Sequence, residues 1–119
     1  MSQPPRRPVP KPVEPAEPAE EDTTSAKEKE YALNPLQCEQ EIKIGRFYMK
    51  KAAWKAAAMR FDEASRWNPQ SSEAWLLLGE AREKMRDKKA AAEAYRKYLE
   101  IDAEAKNAAE IRKRLEKLK

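Results

Sequence analysis

The 119-residue sequence contains no histidine, one cysteine and only two glycines. Without histidine the chain lacks the commonest general base and metal ligand, and a single cysteine excludes a disulfide within the chain. Two glycines cannot supply a glycine-rich loop for a phosphate group. These shortages predict a protein that is not an enzyme and that uses no metal ion or other cofactor.

Long hydrophobic runs are also missing. No apolar stretch is long enough to span a membrane, and the N-terminal residues lack the apolar segment of a secretory signal. The Leu36-Gln37-Cys38 triplet is not expected to be a lipid-attachment site, because no such segment precedes it. The sequence therefore predicts a cytoplasmic location, with Cys38 as a small buried or half-buried residue.

The prolines are concentrated at one end of the chain. Seven of the nine lie within residues 1–30, which contain no aromatic residue. Proline excludes helix and central strand, and the segment has too little apolar area to offset its ordering entropy. Residues 1–30 are therefore predicted to be a disordered tail with polyproline-II character. The tail is expected to be a linker, although the spacing of Pro5 and Pro8 leaves open that it is a ligand.

The charge is distributed unevenly between this tail and the rest of the chain. Residues 1–30 carry five basic and seven acidic side chains, which leaves 20 basic and 14 acidic side chains, a net charge of +6, in residues 31–119. A basic domain favours acidic partners, while the alternative is that the charges only maintain solubility. Clusters of lysine and arginine keep open a nucleic-acid-binding accessory protein, although acidic residues are interspersed and no nucleic-acid-binding motif is present.

After the tail, the abundance of alanine, glutamate, lysine and leucine favours helix almost everywhere. Apolar residues at spacings of three and four, bounded by capping residues, predict five helices. The boundary signals are Asn34-Pro35 before the first helix, a turn near Ala52 and Ala53, Asn68-Pro69 after the second helix, Ser71 or Ser72 before the third, Asp87 before the fourth and Asp102-Ala103 after it.

Four landmarks of the sequence recur at one spacing, which we call the repeat period. The pairs that share it are Asn34-Pro35 and Asn68-Pro69, Gly45 and Gly79, Ala57 and Ala91, and Phe61 and Tyr95. A period of about 34 residues corresponds to a helix–turn–helix unit stacked on a copy of itself. The glycines are expected where the two helices of a hairpin approach most closely, and the aromatic rings between successive hairpins.

Over residues 38–105 the chain resembles the tetratricopeptide repeat family. The matching residues are Ile44, Gly45, Tyr48, Trp54, Ala57, Phe61, Ala64 and Pro69 in the first unit, and Trp75, Leu78, Gly79, Ala91, Tyr95 and Ile101 in the second. Glu41, Arg82, Tyr98 and Ala103 depart from the family pattern. The resemblance implies an all-α domain over residues 35–119, with hairpins at 38–71 and 72–105 and a capping helix at 104–118.

A part of the first unit has a narrower resemblance. The run from Ile44 to Tyr48, followed by Ala57-Ala58 and Arg60-Phe61, is similar to repeats of the outer-membrane-assembly lipoprotein family of Gram-negative bacteria. Those repeats bind a membrane-embedded barrel protein and its partners. This resemblance implies an assembly factor in a bacterium, and it makes the periplasmic side of the outer membrane the alternative location.

The repeat resemblance also implies where a partner binds. Repeat arrays present a concave groove built mainly from the first helix of each unit, and a non-catalytic scaffold would hold a peptide or protein there. The residues predicted to line the groove are Glu39, Ile42, Lys43, Arg46, Lys50, Glu73, Leu76, Leu77, Glu80 and Lys84.

Within this set, Ile42, Leu76 and Leu77 are predicted to accept an apolar side chain, and Lys43 and Arg46 to accept acidic groups. The alternative is that Leu76 and Leu77 are covered by the fifth helix or the tail. A carboxylate clamp for chaperone tails is not expected, because Ile42 and Arg46 replace the lysine and asparagine that such clamps need. Since two units are close to the minimum for a repeat array, weak self-association is a further alternative to a monomer.

Overall fold

The structure is a computed structural model that describes residues 31–119, and the predicted tail lies outside this range. In this range the chain forms α-helices and no β-strand, which confirms the predicted all-α class. The helices are α1 (Pro35–Lys50), α2 (Trp54–Trp67), α3 (Ser72–Lys84), α4 (Lys88–Ile101) and α5 (Ala108–Leu118).

The predicted capping residues begin the helices. The Asn34 side chain accepts a hydrogen bond from the amide of Gln37 at 3.0 Å, with Pro35 in the first turn of α1. Ser71 and Asp87 accept equivalent bonds at the starts of α3 and α4. These side chains satisfy amides that have no partner within the helix, so the local sequence determines where α1, α3 and α4 begin.

The two hairpin turns repeat the same backbone conformation. Ala52 between α1 and α2 has a φ of 60°, and Arg86 between α3 and α4 has a φ of 68°. They are separated by one repeat period, and they are the non-glycine residues with positive φ among those the structure describes. The turn predicted near Ala52 and Ala53 is present, but the left-handed conformation was not expected because glycine usually occupies it.

Each hairpin places an aromatic ring against a glycine. Phe61 and Tyr95 are fully buried, and a Cβ atom on Gly45 would lie 2.4 Å from Cε1 of Phe61. A Cβ atom on Gly79 would lie 2.5 Å from Cε1 of Tyr95. The glycines therefore leave room for the rings on the second helix of their own hairpin. Phe61 also shares a hydrophobic cluster with Leu78 of the next hairpin.

The hairpins stack with α2 against α3, and α5 packs against α4. One hydrophobic cluster joins α1 to α4, and a second contains Tyr95, Tyr98 and Ile111. Helix α5 begins at Ala108, four residues later than predicted, because the chain after Asp102 forms turns. The Asn107 side chain accepts a hydrogen bond from the hydroxyl of Tyr98 instead of capping α5.

Glu41, which replaces an aromatic residue of the repeat pattern, is buried. Its carboxylate accepts a hydrogen bond from Arg60 of α2 at 3.0 Å and another from Gln37 at 3.0 Å. A buried charge needs such partners, because desolvation would otherwise outweigh its contribution. The ion pair between Glu41 and Arg60 therefore connects α1 to α2 at the position where the repeat pattern has an aromatic side chain.

Candidate partner-binding surface

Helices α1, α3 and α5 are linked to one another by charged side chains. Arg46 of α1 forms an ion pair with Glu73 of α3, and Arg114 of α5 lies 3.7 Å from Glu83 of α3. The first helix of each hairpin and the last helix therefore contribute to one polar surface. We call it the α1–α3–α5 face.

A ladder of alternating charge crosses this face. Arg46, Glu80 and Arg114 follow each other at the repeat period, so they occupy equivalent positions on α1, α3 and α5. Burial raises the pKa of Glu80, and the positive charges of Arg114 and Arg46 oppose that rise. The position of Arg114 in this series was not predicted from the sequence, because the resemblance to the repeat pattern ends at residue 105.

Arg114 also attaches α5 to the second hairpin. Its guanidinium donates hydrogen bonds to the Tyr95 hydroxyl at 3.1 Å and to Glu110 at 3.2 Å. The Tyr95 hydroxyl donates to Glu83 at 2.6 Å. Burial and the bond to Glu83 raise the pKa of Tyr95, so the phenol keeps the proton that it donates. The guanidinium of Arg114 is thus held in place before any partner arrives.

The structure leaves eight of the ten predicted groove residues accessible. Glu39, Lys43, Arg46, Lys50 and Lys84 are exposed, and Glu73, Leu76 and Glu80 are half-buried.

The prediction that Ile42 and Leu77 line the groove is wrong. Ile42 is 3% exposed and Leu77 is 9% exposed, and both belong to the main hydrophobic cluster with Leu78. Helices α1 and α3 each pack against more than one neighbour, so their apolar stripe is wider than the hairpin contact alone requires. Leu76 is half-buried and packs against the cluster that contains Tyr95, Tyr98 and Ile111.

The accessible part of α1 is therefore a basic stripe. Lys43, Arg46 and Lys50 lie three and four residues apart, which places them on one side of the helix. Within residues 31–119 neither Lys43 nor Lys50 takes part in an ion pair, and 53% of the Arg46 side chain is exposed despite its pairing with Glu73. This stripe can receive carboxylates from a partner.

Two kinds of chemical site were sought among the described residues, a metal-binding cluster and a reactive thiol. Residues 31–119 contain no group of three or more acidic, cysteine or histidine side chains suited to a metal ion. Cys38 is buried, and burial raises the pKa of its thiol, which disfavours the reactive thiolate. In the same range no helix combines the length and the apolar character that crossing a bilayer would require.

No protein-family model matches the chain, and no curated protein sequence matches it. The functional interpretation therefore depends on the geometry of the α1–α3–α5 face.

Proposed function

We propose that the chain is a two-unit, tetratricopeptide-like scaffold that binds a segment of another protein on the α1–α3–α5 face and catalyses no reaction. The observation that carries this proposal is the recurrence of local structure at the repeat period. The ring-on-glycine contact, the left-handed turn and the charge ladder all recur at equivalent positions. Stacked repeats of this kind form extended surfaces suited to protein segments.

The partner segment is acidic on the side that meets α1. Within residues 31–119 neither Lys43 nor Lys50 forms an ion pair with an acidic side chain, whereas Glu73 and Glu80 lie on α3. Alternating charges on a surface determine the orientation of a partner more than they raise its affinity. The narrower resemblance of the first hairpin supports an assembly factor in a bacterium as the wider role, in the cytoplasm or on the periplasmic side of the outer membrane.

A comparison of three full-length proteins tests this function. The face variant is Lys43→Glu with Arg46→Glu, and the control is Lys97→Glu with Lys106→Glu, which has the same net charge. All four residues are exposed, so both variants are expected to keep the fold. A partner captured by the parent protein should bind the control and be lost from the face variant. Equal capture by both variants would contradict the proposed face.

Self-association is the second candidate, and two exposed leucines favour it. Leu33 precedes α1 and Leu36 lies in its first turn, and their exposed fractions are 70% and 71%. Large apolar side chains that lie together at the surface often mark a contact site. If the protein dimerises there, Leu33→Ser with Leu36→Ser should yield monomers in sedimentation equilibrium. A parent protein that is monomeric at every concentration would remove this candidate.

A further inference from the structure

The two hairpin turns lie next to each other at one end of the molecule. Lys84, at the end of α3, places its amine 5.3 Å from the ring centroid of Trp54, at the start of α2. A shallow cleft nearby is lined by Lys55, Met59 and Met85 together with Asp62, Arg82 and Asp87. We call residues 50–55 and 84–89 together the turn end.

The turn end contains the whole net positive charge of the domain. It has seven basic residues and one acidic residue, a net charge of +6, and residues 31–119 together also carry +6. The rest of the domain, with 13 basic and 13 acidic residues, is therefore neutral. The only acidic residue, Asp87, accepts a hydrogen bond as the cap of α4. All seven basic residues are exposed: Lys50, Lys51, Lys55, Lys84, Arg86, Lys88 and Lys89.

Three of these lysines lie where a helix disfavours them. Lys55 is in the first turn of α2, and Lys88 and Lys89 open α4, yet neither first turn contains an acidic residue. The N-terminus of a helix carries partial positive charge, so cations there are unfavourable. No described residue forms an ion pair with these lysines. Residues that are unfavourable for the local structure are typical of functional sites.

We propose that the turn end docks on an anionic lipid surface. Clusters of four to eight basic residues bind acidic headgroups, and apolar side chains beside them enter the interface. Met85, between Lys84 and Arg86, is 37% exposed, and Met59, in the same cleft, is 49% exposed. The turn end shares Lys50 and Lys84 with the predicted groove, and its docking would hold the partner-binding face at a membrane.

Nucleic acid fits the same surface less well. Single-stranded nucleic acids stack their bases on open aromatic rings, but Lys84 lies over Trp54 and Lys51 lies over Phe47 at 5.1 Å. Base recognition in duplexes also uses asparagine and glutamine, and the turn end contains neither of them. The exposed methionines favour an apolar environment, which a lipid interface provides and a phosphate backbone does not.

Vesicle sedimentation of the full-length protein tests the proposal. The vesicles are phosphatidylcholine alone, or phosphatidylcholine with about one-third phosphatidylglycerol. The turn-end variant is Lys88→Glu with Lys89→Glu, and the matched control is Lys97→Glu with Lys106→Glu. Acidic residues suit the first turn of α4, so the turn-end variant should fold at least as well as the parent. Lys50 and Lys84 are left unchanged because they also belong to the predicted groove.

The parent should bind the anionic vesicles, bind the neutral ones weakly, and be released by salt. The turn-end variant should partition about 30-fold more weakly or worse, because each basic residue near the surface contributes roughly a factor of five. The control should stay within about threefold of the parent, since charges beyond the screening length contribute little. No binding at low salt, equal losses in both variants, or tighter binding to RNA or DNA at equal phosphate concentration would overturn the proposal.

Discussion

At the scale of single residues, Gly79 has no Cβ atom, and the Tyr95 ring can therefore pack directly against α3. We expect Gly79→Ala to lower the free energy of unfolding by about 1–3 kcal/mol, through overpacking against Tyr95. On an open helix surface the same substitution would raise stability by about 1 kcal/mol. Urea denaturation measures the change in the free energy of unfolding, and the sign of that change distinguishes the two environments. Gly79→Leu should lower the free energy of unfolding further than Gly79→Ala does.

Gly45→Ala is the matched test in the first hairpin. Its Cβ atom would meet the Phe61 ring at a similar distance, so a loss of similar size is expected. If either substitution stabilised the protein, the contact between ring and glycine would be contradicted.

Glu80 gives a pH-dependent prediction. Burial raises its pKa above the ordinary 4.5, so the folded state holds the proton more tightly than the unfolded state does. The stabilisation from the protonated form is present below pH 4.5 and is lost as the pH rises through the folded pKa. Glu80→Gln should therefore be more stable than the parent at neutral pH, and the difference should shrink as the medium becomes acidic.

Denaturation of both proteins across the pH range measures this difference. A variant that is less stable than the parent at neutral pH would show that Arg46 and Arg114 outweigh the cost of burying the carboxylate.

Individual residues also show what the sequence could and could not predict. Gly45 and Phe61 were recognised because their equivalents recur one repeat period later, which is a signal internal to the chain. The burial of Ile42 and Leu77 was missed because position in a repeat does not tell how many neighbours surround a helix. The pairing of Glu41 with Arg60 was missed because no spacing rule connects side chains on different helices.

At the scale of elements, the hairpin turns store backbone strain. Ala52 has a φ of 60°, where a Cβ atom costs about 1–2 kcal/mol and glycine avoids most of that cost. Ala52→Gly should therefore raise the free energy of unfolding by up to about 1 kcal/mol. Ala56→Gly, inside α2, is the control and should lower it by about 1 kcal/mol. Losses in both variants would show that Ala52 is not left-handed in solution.

Helix α5 is the element held by the fewest core residues. Ile111 is 2% exposed and is its main anchor in the cluster with Tyr95 and Tyr98. We expect Ile111→Ala to cost about 2–5 kcal/mol, with the loss concentrated in α5. Hydrogen exchange should show faster exchange of α5 amides while α2 amides stay protected. The exposed Lys113→Ala variant should leave both helices unchanged, and uniform loss across all helices would contradict a locally attached α5.

The elements were the most predictable level. Three helices begin directly after a residue whose own side chain caps them, namely Asn34, Ser71 and Asp87. Local sequence was therefore sufficient to predict where these helices start. The start of α5 was placed too early because the turns before it depend on a hydrogen bond from Tyr98 to Asn107, which is a tertiary contact.

At the scale of the whole molecule, two surfaces have different electrostatic character. Ion pairs on the α1–α3–α5 face join Arg46 to Glu73 and Glu83 to Arg114, whereas the seven exposed basic residues of the turn end form no ion pair within residues 31–119. The scaffold that we propose would select a protein segment on the α1–α3–α5 face and attach to an anionic surface through the turn end. Total composition gives only the net charge, so this separation required the three-dimensional arrangement.

The fold depends on two similar hairpins, each of which buries an aromatic ring against a glycine. Nuclear Overhauser spectroscopy on the labelled protein tests these two contacts. We expect cross-peaks from the Phe61 ring protons to the α protons of Gly45, and from the Tyr95 ring protons to those of Gly79. If either pair shows no cross-peak while the spectrum shows a folded helical protein, the repeated hairpin described for this chain is contradicted.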